Sequence, residues 1–221
     1  MHVILIEPSE PGNVGAAARA LKTMGLTELV LVRPQCDVAC ETAYWMAYGA
    51  QEILTTACIV DNLEDVIGDC RYVAAMTARP RHPSRQPHCS LEEFVTMARA
   101  YEHEVAFVFG SERAGLSNDD LARCTHVVTI PHAVDYPSLN LAHAVMVACH
   151  EWFRQGEEAV PEATDAPATV TELERFLETI EDADEEFLRA LRGMLCARGV
   201  TARDLRLLYP LLRTPGAPRH G

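Results

Sequence analysis

Short apolar runs alternate with segments of helical period through the first two thirds of the chain. HVILIE, ELVLVR, ACIV, RYVAAM, EVAFVFG and HVVTIP are each too short for a helix and are bounded by turn residues, so they predict strands. Between them, apolar spacing predicts helices near residues 13–24, 41–48, 62–68, 90–101, 117–123 and 139–154. Strands that are apolar almost throughout, joined by helices, belong in a mostly parallel sheet with helices on both faces, an α/β fold.

The pattern changes after residue 155. GEEAVPEATDAPA, residues 156–168, combines proline, alanine and acid without apolar periodicity and reads as an acidic linker. Beyond it, Leu173, Phe176, Leu177 and Ile180 mark one amphipathic helix, and Phe187, Leu191 and Leu195 a second. Thr201 and Asp204 have the spacing of a capping box opening a third, with Leu205, Leu208 and Leu212 on its inner side. The expected organisation is a core over 1–155, the linker, a helical extension over 169–214 and a disordered tail, PGAPRHG, over 215–221.

Composition narrows the class. With 48% apolar residues, 221 residues suffice for one such core plus an appendage. No window approaches the ~18 consecutive apolar residues of a membrane span and no leader pattern opens the chain, so a cytoplasmic protein is expected. The eight cysteines are scattered without a CxxC pair, which predicts free thiols in a reducing compartment and no metal site. His143 and His150 are two helical turns apart instead of the one turn of a zinc helix, and His132 adds no ligand spacing. Trp45 and Trp152 read as packing residues.

The net charge of −13 is unevenly spread. Residues 156–186 hold twelve acidic side chains and one arginine, whereas residues 187–221 hold seven arginines and one aspartate. All but Lys22 of the 19 cationic side chains are arginine, whose planar forks suit phosphate. An acidic whole can carry a basic face. Arg189, Arg192, Arg198, Arg203 and Arg206 either clamp a nucleic acid or pair with the acidic run.

Three loop-plus-helix segments follow strands, where open parallel sheets place ligands. In EPSEPGNVGAAARALKTMG, residues 7–25, Asn13 is placed to cap a helix, Gly15 admits close backbone approach, and Arg19 lies one turn beyond on the same face. That fits a phosphate site, and it also fits a tightly packed alanine helix. In FGSERAGLS, residues 109–117, Gly110 and Gly115 permit a turn whose main chain can hydrogen-bond a flat heterocycle, with Glu112 and Arg113 at its mouth. A plain strand-to-helix connection would look the same. In IPHAVDYPSLNLAHAV, residues 130–145, Ser138 and Asn140 place two hydrogen-bonding side chains at a helix mouth, as site residues or as caps.

In order, N-x-G-x-x-x-R, F-G-x-E-x-x-G-L and I-P-x-x-x-x-x-P-S-L-N-x-A, within residues 3–154, resemble the SPOUT superfamily of RNA methyltransferases. More narrowly, NVGAAARALKTMGLTELVLVRP and WMAYGAQEIL resemble the TrmH/TrmJ branch, which methylates ribose 2′-hydroxyls, and are most like the family acting on tRNA nucleotide 32. The resemblance implies a SPOUT fold with a C-terminal trefoil knot, a homodimer with composite active sites, and S-adenosylmethionine as methyl donor without a metal. It places the cofactor against Thr77, Gly110, Glu112, Gly115, Ile130, Ser138 and Leu139. It makes Arg19, Asn13, Ser138 and Asn140 the catalytic set, and the helices over 15–20 and 139–154 the interface candidates. Arginine is almost never neutral, so Arg19 is expected to hold RNA phosphate and a developing alkoxide instead of acting as base.

Arg79, Arg81 and Arg85 in the loop ARPRHPSR suit phosphate contact, with Arg19 and Arg113 completing the expected RNA-binding set. Two alternatives stay open: methylation of ribosomal RNA or the tRNA wobble nucleotide by the same chemistry, and a non-catalytic RNA-binding module on this scaffold. A small-molecule α/β enzyme would leave the arginine distribution unexplained.

Overall fold

The computed structural model describes residues 1–78, 86–133, 138–156, 166–180 and 183–212. Seven parallel strands form one sheet: β1 (His2–Ile6), β2 (Leu29–Val32), β3 (Cys58–Val60), β4 (Tyr72–Met76), β5 (His88–Ser90), β6 (Val105–Phe109) and β7 (His126–Thr129), in the order β3-β2-β1-β6-β4-β7-β5. Six are the runs expected from the sequence. The seventh, β5, is the three-residue segment HCS, which has no apolar run to announce it.

Alternation along the central strands sorts their side chains onto two faces. Val3, Leu5, Leu29, Leu31, Phe107 and Phe109 face the helices α1 (Pro11–Thr23), α5 (Leu91–Ala98) and α7 (Leu141–Gly156). Ile4, Ile6, Val30, Val32, Ala106 and Val108 face α4 (Glu64–Ile67), α6 (Asn118–Arg123) and the start of α8 (Val170–Leu177). Burying each large apolar side chain contributes about 1.5–3 kcal/mol, so both faces stabilise the sheet. Trp152 of α7 sits edge-on to Phe107 at 6.0 Å, with the Arg99 guanidinium 4.5 Å from its ring.

Helix α1 begins with Pro11 in its first turn and ends in a Schellman motif: Gly25 has φ +73°, its N–H donates to the Lys22 carbonyl, and that of Leu26 donates to Leu21. Its small residues are explained within one chain. A Cβ on Gly15 would lie 2.1 Å from the Ala43 carbonyl oxygen, so glycine lets α2 (Glu41–Met46) cross against α1. Ala17, Ala18 and Ala20 are buried in the core. A short helix α3 (Gln51–Thr55) follows, outside the sequence expectation.

The C-terminal helices α8, α9 (Glu185–Ala197) and α10 (Ala202–Leu212) enclose a small core of Leu173, Phe176, Leu177, Leu195 and Leu205. Thr201 and Asp204 form the expected capping box. Of the stretch read as a linker, Gly156 closes α7 and Ala168 is buried with its N–H donating to the Val200 carbonyl. Residues 157–165 and the tail lie outside the described residues. Val170 packs under the sheet and its N–H donates to the Cys70 carbonyl, which joins these helices directly to the core.

Candidate active site

The site forms at the C-terminal edge of β1, β6, β4 and β7. A cleft of about 320 Å³ opens there, and all seven residues expected at the cofactor line it: Thr77, Gly110, Glu112, Gly115, Ile130, Ser138 and Leu139. Arg113 and His132 also reach it. The floor is apolar, with Leu116, Leu121 and Leu141, while the rim is main chain and polar side chain, a composition suited to a small ligand with one flat face.

The loop after β6 is built around two glycines. A Cβ on Gly110 would lie 2.1 Å from the Gly115 carbonyl carbon and 2.2 Å from the Leu116 nitrogen. Gly115 itself adopts φ +69°, and its N–H donates to the Ser111 carbonyl at 2.9 Å. Ser117 and Asp120 then form a capping box that starts α6.

A polar relay ties the three sequence segments together. Glu112 Oε2 accepts from the Ser9 N–H at 3.0 Å and the Ser9 hydroxyl at 2.9 Å, and Oε1 accepts from Asn13 Nδ2 at 2.9 Å. Asn13 Oδ1 accepts from Asn140 Nδ2 at 2.9 Å, and Asn140 Oδ1 accepts from the Ala142 N–H at 2.9 Å. The orientation is determined throughout: a carboxylate only accepts, so Asn13 turns its amide NH2 to it and its oxygen to Asn140. Partial burial pushes the Glu112 carboxyl up, but the hydrogen bonds from Asn13 and Ser9 outweigh it and hold it below the usual carboxylate range.

This geometry corrects one expectation. Asn13 does not cap α1, whose N-cap is Glu10 without a side-chain bond, because Asn13 lies in the helix's first turn and its amide is committed to the relay. Asn140 does cap α7. Arg19 is exposed on α1. Ser138 is exposed at the cleft rim. Arg79, Arg81 and Arg85 lie outside the described residues.

Two other arginines take the acid-pairing alternative. Arg192 is buried and donates to Glu174 as well as to main chain, and Arg189 pairs with Glu185 and Asp119. Trp152 packs as expected, but Trp45 is 74% exposed on α2, beside Tyr48 at 74%, because α2 turns its small residue Ala43 to the core. Among the described residues, no group of three or more His, Cys, Asp or Glu could hold a metal ion, and no helix is long and apolar enough to cross a membrane.

Sequence reasoning missed Ser9 and the pair Glu7–Arg33. Glu7 and Arg33 leave β1 and β2 with positive φ, 49° and 46°, and pair at 3.0 Å. Non-glycine residues held there cost about 1–3 kcal/mol each, so the turn that delivers Ser9 to Glu112 is held against its local preference. No residue type at these positions signals a left-handed backbone, since both are ordinary charged residues.

Comparison with known proteins agrees with this architecture. Residues 1–150 match the model of the SpoU rRNA Methylase family. An uncharacterized tRNA/rRNA methyltransferase of Haemophilus influenzae is 42% identical over 154 residues, and the match spans 68% of this chain and 61% of that protein's length. The tRNA (cytidine/uridine-2′-O-)-methyltransferase TrmJ of Yersinia pestis is 40% identical over 82% of this chain and 73% of its own. The crystal structure of TrmJ from Z. mobilis superposes with a TM-score of 0.80 at 30% identity, covering 96% of each chain. The chain belongs to the SpoU methylase family of RNA methyltransferases.

Proposed function

We propose that the protein transfers a methyl group from S-adenosylmethionine to a ribose 2′-hydroxyl of tRNA, at nucleotide 32 of the anticodon loop. The observation that carries this reading is the convergence of all seven expected cofactor residues on one cleft whose wall, Glu112, is hydrogen-bonded to Asn13 and through it to Asn140. The resemblance to proteins named TrmJ supports tRNA as substrate.

The cleft fits the donor by its chemistry. Between Gly110 and Gly115 the main chain approaches itself too closely for any side chain, which leaves peptide N–H and C=O groups to meet an adenine edge. When bound, the donor supplies a methyl already activated by its sulfonium. The chain's own residues position the nucleophile: Asn13 and Asn140 hold the three segments in register, Ser138 orders the rim, and exposed Arg19 holds RNA phosphate and the developing oxyanion. Arg113 at the rim, with Arg79, Arg81 and Arg85, contacts the RNA backbone.

The family's trefoil knot would bring residues 110–117 and 138–141 to one cleft. A homodimer, with Arg19 serving the partner's cleft, accounts for the exposed apolar side chains Trp45 of α2, Tyr48 just after it, and Val147 and Phe153 of α7. The protein works in the cytoplasm, where its substrate is.

The test is methyl transfer from labelled S-adenosylmethionine to unmodified tRNA, with the product nucleoside mapped by mass spectrometry. A ribose methyl at nucleotide 32 that vanishes with a 2′-deoxy residue there is the expected result. Inert tRNA with intact cofactor binding would redirect the search to ribosomal RNA or to a non-catalytic module.

A further inference from the structure

We infer that Arg192 is a positioning residue for the donor cleft, acting from the C-terminal helices through α6. The inference rests on the reading of the cleft as the S-adenosylmethionine site. Helix α6 forms one wall of that cleft: Leu116, just before it, and Leu121, within it, both line the cavity. At six residues, it is too short to be stable alone and depends on what fixes its ends. Its N-terminus is fixed by the Ser117–Asp120 capping box.

Its C-terminus is fixed from α9. Arg192, 5% exposed, donates Nη2 to the Arg123 carbonyl at 2.6 Å and Nη1 to the Cys124 carbonyl at 2.7 Å, and its Nε donates to Glu174 at 2.7 Å. One planar guanidinium thus closes the last turn of α6 and is itself neutralised by α8. The same α9 face reaches α6 a second time, where Arg189 meets Asp119 at 3.2 Å, but that pair is solvent-exposed and contributes little. Without Arg192 two carbonyls lose their donor, the last turn of α6 loosens, and Leu121 no longer holds its side of the cleft.

The test uses the full-length protein and S-adenosylmethionine binding by calorimetry, well below the unfolding transition of each variant. Arg192→Met is expected to weaken binding about tenfold or more, and Arg192→Lys, which keeps the charge but loses the fork, by about threefold to tenfold. Arg189→Ala should stay within about twofold, as expected of an exposed pair. At saturating donor the turnover of Arg192→Lys should return to within about twofold of the parent, placing the loss in KM. A folded Arg192→Met or Arg192→Lys with parental donor affinity would overturn the inference, as would an equal loss in Arg189→Ala. If the methionine variant does not fold, the lysine variant decides. A parent protein that binds no S-adenosylmethionine would instead overturn the reading of the cleft.

Discussion

Asn13 and Asn140 are 127 positions apart in sequence and meet through a 2.9 Å hydrogen bond between their side-chain amides. Each is also committed elsewhere, Asn13 to the Glu112 carboxylate and Asn140 to the N-terminus of α7, so the bond joins the cleft loop to two helices. Replacing Asn13 with alanine removes a donor to a carboxylate that remains partly buried. The expected cost is about 1–2 kcal/mol of stability, reduced by solvent access, together with a loss of methyl transfer of at least about tenfold. Thermal melts and single-turnover kinetics read the two effects separately; parental turnover in Asn13→Ala would show the relay to be dispensable.

Gly110→Ala tests the glycine turn after β6. The added methyl would lie 2.1 Å from main chain that has no room to yield, so the loop must open. S-adenosylmethionine binding is expected to fall by at least about a hundredfold, with at most about 3 kcal/mol of lost stability. Calorimetry showing near-parental affinity would mean the cofactor does not depend on this turn.

Arg19→Ala should leave the melt and the cofactor affinity unchanged, because the side chain is exposed, and should lower turnover by about a hundredfold or more. Undiminished turnover in that variant would remove Arg19 from the reaction.

His126 supplies a pH signature. Burial against Tyr72 and Phe94 lowers its pKa from 6.5 to about 4. A group depressed in the folded state stabilises above its unfolded pKa, so its contribution is full above about pH 6.5 and is lost as pH falls toward 4. The loss amounts to about 3 kcal/mol across that window. Denaturant titrations of His126→Gln should show a flatter acid limb between those pH values; an identical slope would assign the acid sensitivity to other groups. Glu112 adds to the loss only lower, as pH falls through its own depressed value.

Much of the fold was legible because its central strands are buried on both faces and therefore spell themselves as unbroken apolar runs. The exceptions are physical. Strand β5 is a polar edge, and α3 is a single short turn pair after Gly49. Trp45 looked like core and is surface, since residue type cannot say which side of a short helix faces inward. At the site, the glycines of the β6 loop were readable because only a close approach needs them. The partner of Asn13 was not, because capping and bridging use the same side chain and differ only in the direction the chain takes 99 and 127 residues later. The burial of Arg192 was equally hidden, as its position in a basic segment is that of a surface residue.

The position of β1 in the sheet also sets a timetable for assembly. It pairs on one side with β2, available after residue 32, and on the other with β6, which ends at Phe109. Closing so long a loop is slow, and contacts of this kind dominate the folding barrier. On the ribosome the β1–β2–β3 half can therefore form early, with α1 laid across it, while one side of β1 stays open until the middle of the chain emerges. The hydrogen bond between the Asn13 and Asn140 side chains must come later still, so the relay that frames the cleft is among the last things the chain assembles.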